Sequence, residues 1–276
     1  MELALRVLLL VLLLDASLFW FQRLPLQIAC GLGLLLPGLA RDARFWAGIT
    51  LLTACPLVWN WPFSDNHDYL RAFAALAVTL ALGARDPAAT LRTSARLLVG
   101  GTFFFATLWK LVLSPDFLDG TFFRVTLLAD PRFHDLAVLA GGASWETLDA
   151  FDAALRAFLA GRTGGWPGAF VEPGGLGPLA LALTLFTGAI EAALAAAFLW
   201  PRLARHRNAL LIVFGASTYA FATVRGFGWL LMMLGLAQCE VDERRARIGY
   251  VATLFLIEVY RSVPWSRMLI DALGLS

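Results

Sequence analysis

Lysine is almost absent from this chain. Of its 22 basic residues one is lysine, Lys110, and the other 21 are arginine. An Ala/Leu/Arg-rich composition of this kind follows from GC-rich coding, so the depletion needs no functional cause, whereas the position of the survivor does. Charge of either sign is scarce as well, at 15% of residues against about 25% in soluble chains. The net charge of +2 leaves no electrostatic footprint for a phosphate backbone, so no nucleic-acid partner is expected. Cysteine is limited to Cys30, Cys55 and Cys239. That spacing excludes CxxC redox or zinc chemistry and a disulfide framework, and small apolar residues in helices account for all three. No metal is expected, and no internal repeat, low-complexity tract or second domain is visible.

What is abundant is apolar mass. Hydrophobic residues make up 59% of the chain, mean hydropathy is +0.72, and the apolar residues come in long runs that could span a bilayer several times. This excludes a disordered chain and an ordinary soluble domain. The expected fold is all-α: a polytopic membrane helix bundle forming a single membrane domain over 1–276. Runs broken by charge, Pro and Gly suggest about nine helices, at 4–22, 25–40, 44–61, 68–84, 92–113, 176–200, 208–223, 226–239 and 247–263. Within 208–238, Gly226 and Gly228 could split the run into two short spans or a re-entrant pair. The first run, interrupted by Asp15 and followed at once by another, reads as a membrane helix rather than a signal peptide.

Arginine placement supplies the topology. Arg41 and Arg44, then Arg85, Arg92 and Arg96, then Arg202, Arg205 and Arg207, then Arg244, Arg245 and Arg247 all fall at even-numbered junctions. The positive-inside rule makes those junctions cytoplasmic, with the N-terminus inside and the C-terminus outside. A multi-pass protein of the cell inner membrane is the expectation, with the lipid bilayer as its first partner. The long connection 114–175 then forms an outer loop or lid. It carries eight acidic residues against four arginines. Residues 145–160 have apolar positions at helical spacing with acids between, which reads as an amphipathic helix, and GRTGGWPG after it as a loop.

Ionisable groups at membrane depth are costly and usually face a cavity or a partner. Lys110 lies near the outer end of the fifth run, where it could snorkel to the interface or serve as a desolvated amine acting as a base. His67 stands at the outer mouth of the fourth run. These two runs are consecutive and antiparallel, so the two residues could face one outward-opening cavity, with Tyr219 and Arg225 at similar depth. Glu191 and Glu258 read as buried carboxylates paired with an arginine or with backbone, and Asp15 as paired within the bundle. His134 and His206 read as solvated.

Three segments carry a family resemblance. Asn66-His67-Asp68-Tyr69-Leu70 resembles an N-H-x-Y-L motif at a helix entry. Trp109-Lys110-Leu111 followed by Asp116-Phe117-Leu118-Asp119-Gly120 resembles a lysine–leucine pair before an acidic, aromatic, glycine-ended loop. The run from Ile190-Glu191 through Pro201 and Phe214 to Gly226-Phe227-Gly228 is similar to later helices of the same family. Together, over roughly residues 5–263, they resemble the membrane domain of the vitamin K-dependent gamma-carboxylases and the broader horizontally transferred transmembrane (HTTM) family.

The resemblance implies a carboxylase/epoxidase-type enzyme that deprotonates and oxygenates a quinol-like lipid-soluble substrate. Reduced vitamin K or a related quinol would be the cofactor. By the same resemblance Lys110 is the catalytic base, Asn66 and His67 orient the quinol oxygens, and Trp109, Tyr219 and Arg225 contact substrate. Phe103, Phe104 and Phe105 would suit a naphthoquinone. The carboxylases continue into a luminal domain that binds a protein substrate, and the family places a histidine where this chain has Ser217-Thr218-Tyr219. Quinol chemistry is therefore expected in preference to carboxylation of a docked protein substrate. The alternative is a non-catalytic membrane partner or hydrophobic-molecule binder. A solute transporter stands third, since no inverted repeat appears.

Overall fold

The computed structural model describes residues 1–14, 20–162, 172–222 and 224–275. Among them every regular element is helical, which bears out the all-α expectation. In chain order the α-helices are α1 (Glu2–Leu14), α2 (Trp20–Leu35), α3 (Ala43–Asn60), α4 (Asn66–Leu82), α5 (Pro87–Leu108), α6 (Pro115–Leu118), α7 (Thr121–Ala129), α8 (Pro131–Gly141), α9 (Trp145–Leu159), α10 (Leu176–Leu199), α11 (Arg207–Phe221), α12 (Arg225–Gln238), α13 (Arg244–Ser262) and α14 (Trp265–Ala272). Part of the first expected span, the pairing of Asp15 and most of the GRTGGWPG loop lie outside the described residues.

Local chemistry sets the helix starts. An aspartate or serine just before the first turn accepts from an otherwise unpaired backbone N–H. Asp42 accepts from Arg44 N at 2.8 Å, Asp86 from Ala89 N at 2.9 Å, Asp130 from Arg132 N at 3.1 Å and Ser144 from Thr147 N at 3.2 Å. Asp65 and Asp68 cap α4 reciprocally. Prolines 87, 115 and 131 each begin a helix, where the missing N–H costs nothing.

The chain forms two compact units. The first comprises Met1–Phe103, Leu194–Tyr219 and Val224–Glu258. Its centre is α12, buried on every side from Gly228 to Gln238, as expected of a helix that is apolar all round. Helices α1 and α4 pack against α12, and α3 pairs with α4. Glycine allows the closest approach: a Cβ at Gly235 would lie 2.4 Å from the Tyr250 ring. Beside this contact Asn208 Oδ1 accepts from Gln238 Nε2 at 2.5 Å and from the Tyr250 hydroxyl at 2.9 Å, while Asn208 Nδ2 donates to Glu243 at 2.8 Å. The ambiguous run 208–238 thus resolves into two helices, α11 and α12.

The second unit comprises Phe104–Ala193, Ala220–Thr223 and Val259–Ser276. The connection expected to be a loop with one helix contains four, α6 to α9, and α9 occupies the amphipathic segment. The core there joins Phe117, Phe123, Leu127 and Leu148 to Leu176 and Ala180 of α10 and to Ile270 of α14. Helix α14 is held to α8 by a hydrogen bond from Ser266 to Asp135, and Arg267 lies over the Trp145 ring at 3.7 Å.

Two helices among the described residues are long and apolar enough to cross a membrane by length and composition: Pro87–Leu113 and Leu176–Leu199. The first is α5 prolonged by a five-residue π-helical turn, Trp109–Leu113. Insertions of that kind widen the helix locally and occur often at functional sites.

Candidate functional site: a lysine–glutamate pair

Lys110 sits in the π turn, and its Nζ donates to both carboxylate oxygens of Glu191 on α10, at 2.5 and 2.6 Å. The side chains are 22% and 9% exposed. Both residues belong to the second unit, and the pair joins the two membrane-length helices. The amine therefore ends on a carboxylate rather than at a free interface, and the partner of Glu191 is a lysine where an arginine or backbone group was expected. Nζ also lies 5.3 Å from the centroid of the buried Phe117 ring, within cation–π reach. Three residues before Lys110, in α5, the buried hydroxyl of Thr107 makes no hydrogen bond among the described residues.

The remaining expected site residues are placed differently. Trp109, also in the second unit, is 61% exposed and lies on the outside of its helix. Asn66, His67, Tyr219 and Arg225 belong to the first unit. Asn66 is exposed in the first turn of α4. His67 is half-buried, with Nδ1 3.8 Å from Asp65 and Nε2 3.8 Å from Asp68. Tyr219 is 2% exposed; its ring stands edge-on to Phe214 at 6.1 Å and fills the space left by Gly228. Arg225 stacks over Trp229 at 4.9 Å and donates to the Leu14 carbonyl at 2.9 Å. The Tyr219 ring thus packs within the first unit, and Arg225 ties the start of α12 to the end of α1.

One group has a metal-like composition. The ligand atoms of Asp65, His67 and Asp68 lie within 4.8 Å of one another. Both carboxylates already cap α4, and Asp68 also forms an ion pair with the buried Arg71, which supplies the positive charge a cation would bring. A concavity of about 500 Å³ runs along α9 beside Asp149, Asp152 and Arg156 and contains none of the expected site residues.

Glu191 was visible in the sequence as a buried carboxylate, but nothing in spacing or periodicity links it to Lys110. Thr107 and Phe117 likewise carry no sequence signal for the roles they take here. Fold and site together define an all-helical protein with a lysine–carboxylate pair bridging two helices of membrane-crossing length. No family model, curated protein or solved structure matches the chain.

Proposed function

We propose that this is a multi-pass protein of the cell inner membrane in which the Lys110–Glu191 pair moves a proton for a quinol-like, lipid-soluble substrate. The observation that carries the reading is the pair itself. The chain's single lysine bonds a carboxylate between the two helices that pass the length and composition test for crossing a membrane. The nine-crossing topology, N-terminus inside, rests on the four arginine-bearing junctions. It is supported by the exposed apolar side chains of Leu35, Val58, Trp59, Trp61 and Phe63, with Trp59 and Trp61 at helix ends in the manner of an interfacial aromatic belt.

The chemistry follows from charge balance. At low dielectric the cost of holding two charges favours an alternative, in which the proton passes from Nζ to the carboxylate and leaves a neutral amine beside a carboxylic acid. That transfer runs along a hydrogen bond already formed and moves no net charge across the membrane. The neutral amine of Lys110 is then a base, and on taking a proton it becomes a cation placed to stabilise the oxyanion it has created.

The residues present fit a hydroxylated aromatic ring. The Thr107 hydroxyl has a hydrogen bond left to make, and Phe104 and Phe105 are exposed on the same helix. A reduced vitamin K or related quinol, when bound, supplies the acidic hydroxyl and the oxidisable ring. Asn66 and His67 belong to the other unit and enter no step here.

A single lysine makes the test direct, because peptide mapping separates an amine-reactive label on its side chain from label on the N-terminal amine. Labelling of Lys110 in membranes is expected to be slow, faster in Glu191→Gln, and slowed further by a reduced naphthoquinone. Labelling at the rate of a free aqueous lysine, indifferent to Glu191 and to quinol, would contradict the proposal. A second reading, a non-catalytic membrane partner or hydrophobic-molecule binder, is favoured by one observation: Tyr219 is used in packing. Unchanged biological activity in Lys110→Ala would select it.

A further inference from the structure

We infer that the arginine-rich end of the first unit holds an anionic phospholipid, its phosphate between Arg92 and Arg247 and an acyl chain along the groove between α1 and α13. The inference rests on the membrane placement proposed above and is independent of the Lys110 chemistry. A cavity of about 90 Å³ opens where the starts of α1, α5 and α13 meet the end of α12, and Arg92 and Arg247 both line it beside Leu91 and Leu236. Both arginines are half-buried, and neither guanidinium has a hydrogen bond or ion pair among the described residues.

Some other arginines of this unit have an acidic neighbour: Arg6 and Arg41 share Glu2, Arg71 pairs with Asp68, and Arg207 stands 3.8 Å from Glu243. One carboxylate, the exposed Glu240, lies on the cavity lining. The two guanidiniums still outnumber it, and a planar guanidinium is suited to paired bonds with a phosphate.

A second, open groove of about 380 Å³ shares Leu3 and Arg247 with this cavity, continues over Ile248, Val251 and Ala252, and carries Arg244 at its mouth. Its surface is mostly apolar, and Leu3, Ile248 and Ala252 are exposed. A recess for an anion that passes into an apolar furrow matches one molecule, with a charged head and a hydrocarbon tail. Arg92 and Arg247 belong to two of the four junctions that the positive-inside rule makes cytoplasmic. Anionic lipid is concentrated in that leaflet, and basic pockets between membrane helices there take lipid head groups.

The test is lipid retention by the intact protein in mild detergent, read by native mass spectrometry. Equal amounts of dioleoylphosphatidylglycerol and dioleoylphosphatidylcholine are offered, and inorganic phosphate is titrated separately. Wild-type protein is expected to retain phosphatidylglycerol in preference by about tenfold. Arg92→Gln with Arg247→Gln should bring the ratio to parity. Arg247→Lys should keep most of the preference, and Arg202→Gln, in another basic junction, should keep all of it. Ala252→Trp, which fills the groove, should lower retention of both lipids.

Equal preference in wild type and in Arg92→Gln/Arg247→Gln overturns the site. Competition by inorganic phosphate at concentrations equal to the lipid, with no effect of Ala252→Trp, overturns the lipid in favour of a free anion. Extraction of the same samples by alkaline carbonate reads membrane placement on its own. If the protein is extracted, flotation with phosphatidylglycerol vesicles still decides the site.

Discussion

Lys110 and Glu191, 81 residues apart, form a two-bond contact that closes α5 onto α10. Nearer the arginine-rich end the same two helices meet at Gly100, where a Cβ would fall 2.6 Å from Leu199. One contact is polar and the other is as close as packing allows. Removing either partner of the pair leaves a largely buried charge without compensation, a cost of about 3 kcal/mol. Lys110→Ala and Glu191→Gln should each lower the thermal midpoint in detergent. Lys110→Met with Glu191→Leu should restore most of it, since an apolar pair of similar volume needs no desolvation. A double variant no more stable than the singles would show that the contact is not what joins the helices.

The glycine contacts of α12 give a second expectation. Gly235→Ala drives a methyl into the Tyr250 ring and should destabilise by about 1–3 kcal/mol through overpacking. It should also displace the Tyr250 hydroxyl from Asn208. Gly31→Ala meets nothing within 4 Å and should be neutral or stabilise by up to about 1 kcal/mol. Denaturation of the two variants side by side checks both signs.

Acid sensitivity in the segment between α5 and α10 should trace partly to Asp130. Its carboxyl is held below the ordinary 3.8, first by the Arg132 side chain and then by the Arg132 backbone N–H, against the opposing effect of burial. A carboxylate whose folded pKa is lowered contributes stability above its unfolded pKa, and the contribution disappears as pH falls through the folded value. The stability difference between wild type and Asp130→Ala should therefore be constant from neutral pH down to about pH 4, roughly 1 kcal/mol for the lost cap. It should shrink at lower pH. A difference that persists unchanged at pH 2 would show that the charge plays no part.

Much of the helical order was readable in the sequence because apolar period and breakers act locally. The starts of α3 and α4, the amphipathic α9 and the break between α11 and α12 all follow from patterns within a few residues. What was missed divides into two kinds. Asp86-Pro87, Ser114-Pro115 and Asp130-Pro131 are cap-then-proline signals for α5, α6 and α8. The low apolar content around them hides these starts from hydropathy, which begins α5 at 92 and gives no helix over α6 to α8.

The placement of Lys110, Glu191 and Tyr219 is of the other kind. Depth along a helix can be counted from sequence, but the direction a side chain faces depends on which helices become neighbours. The Tyr219 ring turns into the gap at Gly228. Glu191 pairs with a lysine that no local pattern connects to it.

Proton transfer from a quinol to the Lys110–Glu191 pair has a chemical readout. Purified protein is incubated with a reduced naphthoquinone and oxygen, and epoxide is read by mass spectrometry beside Lys110→Ala and Glu191→Gln. The account predicts epoxide from wild type, none from Lys110→Ala and a reduced yield from Glu191→Gln, which keeps the hydrogen bond but cannot accept the proton. No epoxide from well-folded wild type across several quinols, or equal yield from Lys110→Ala, would contradict it.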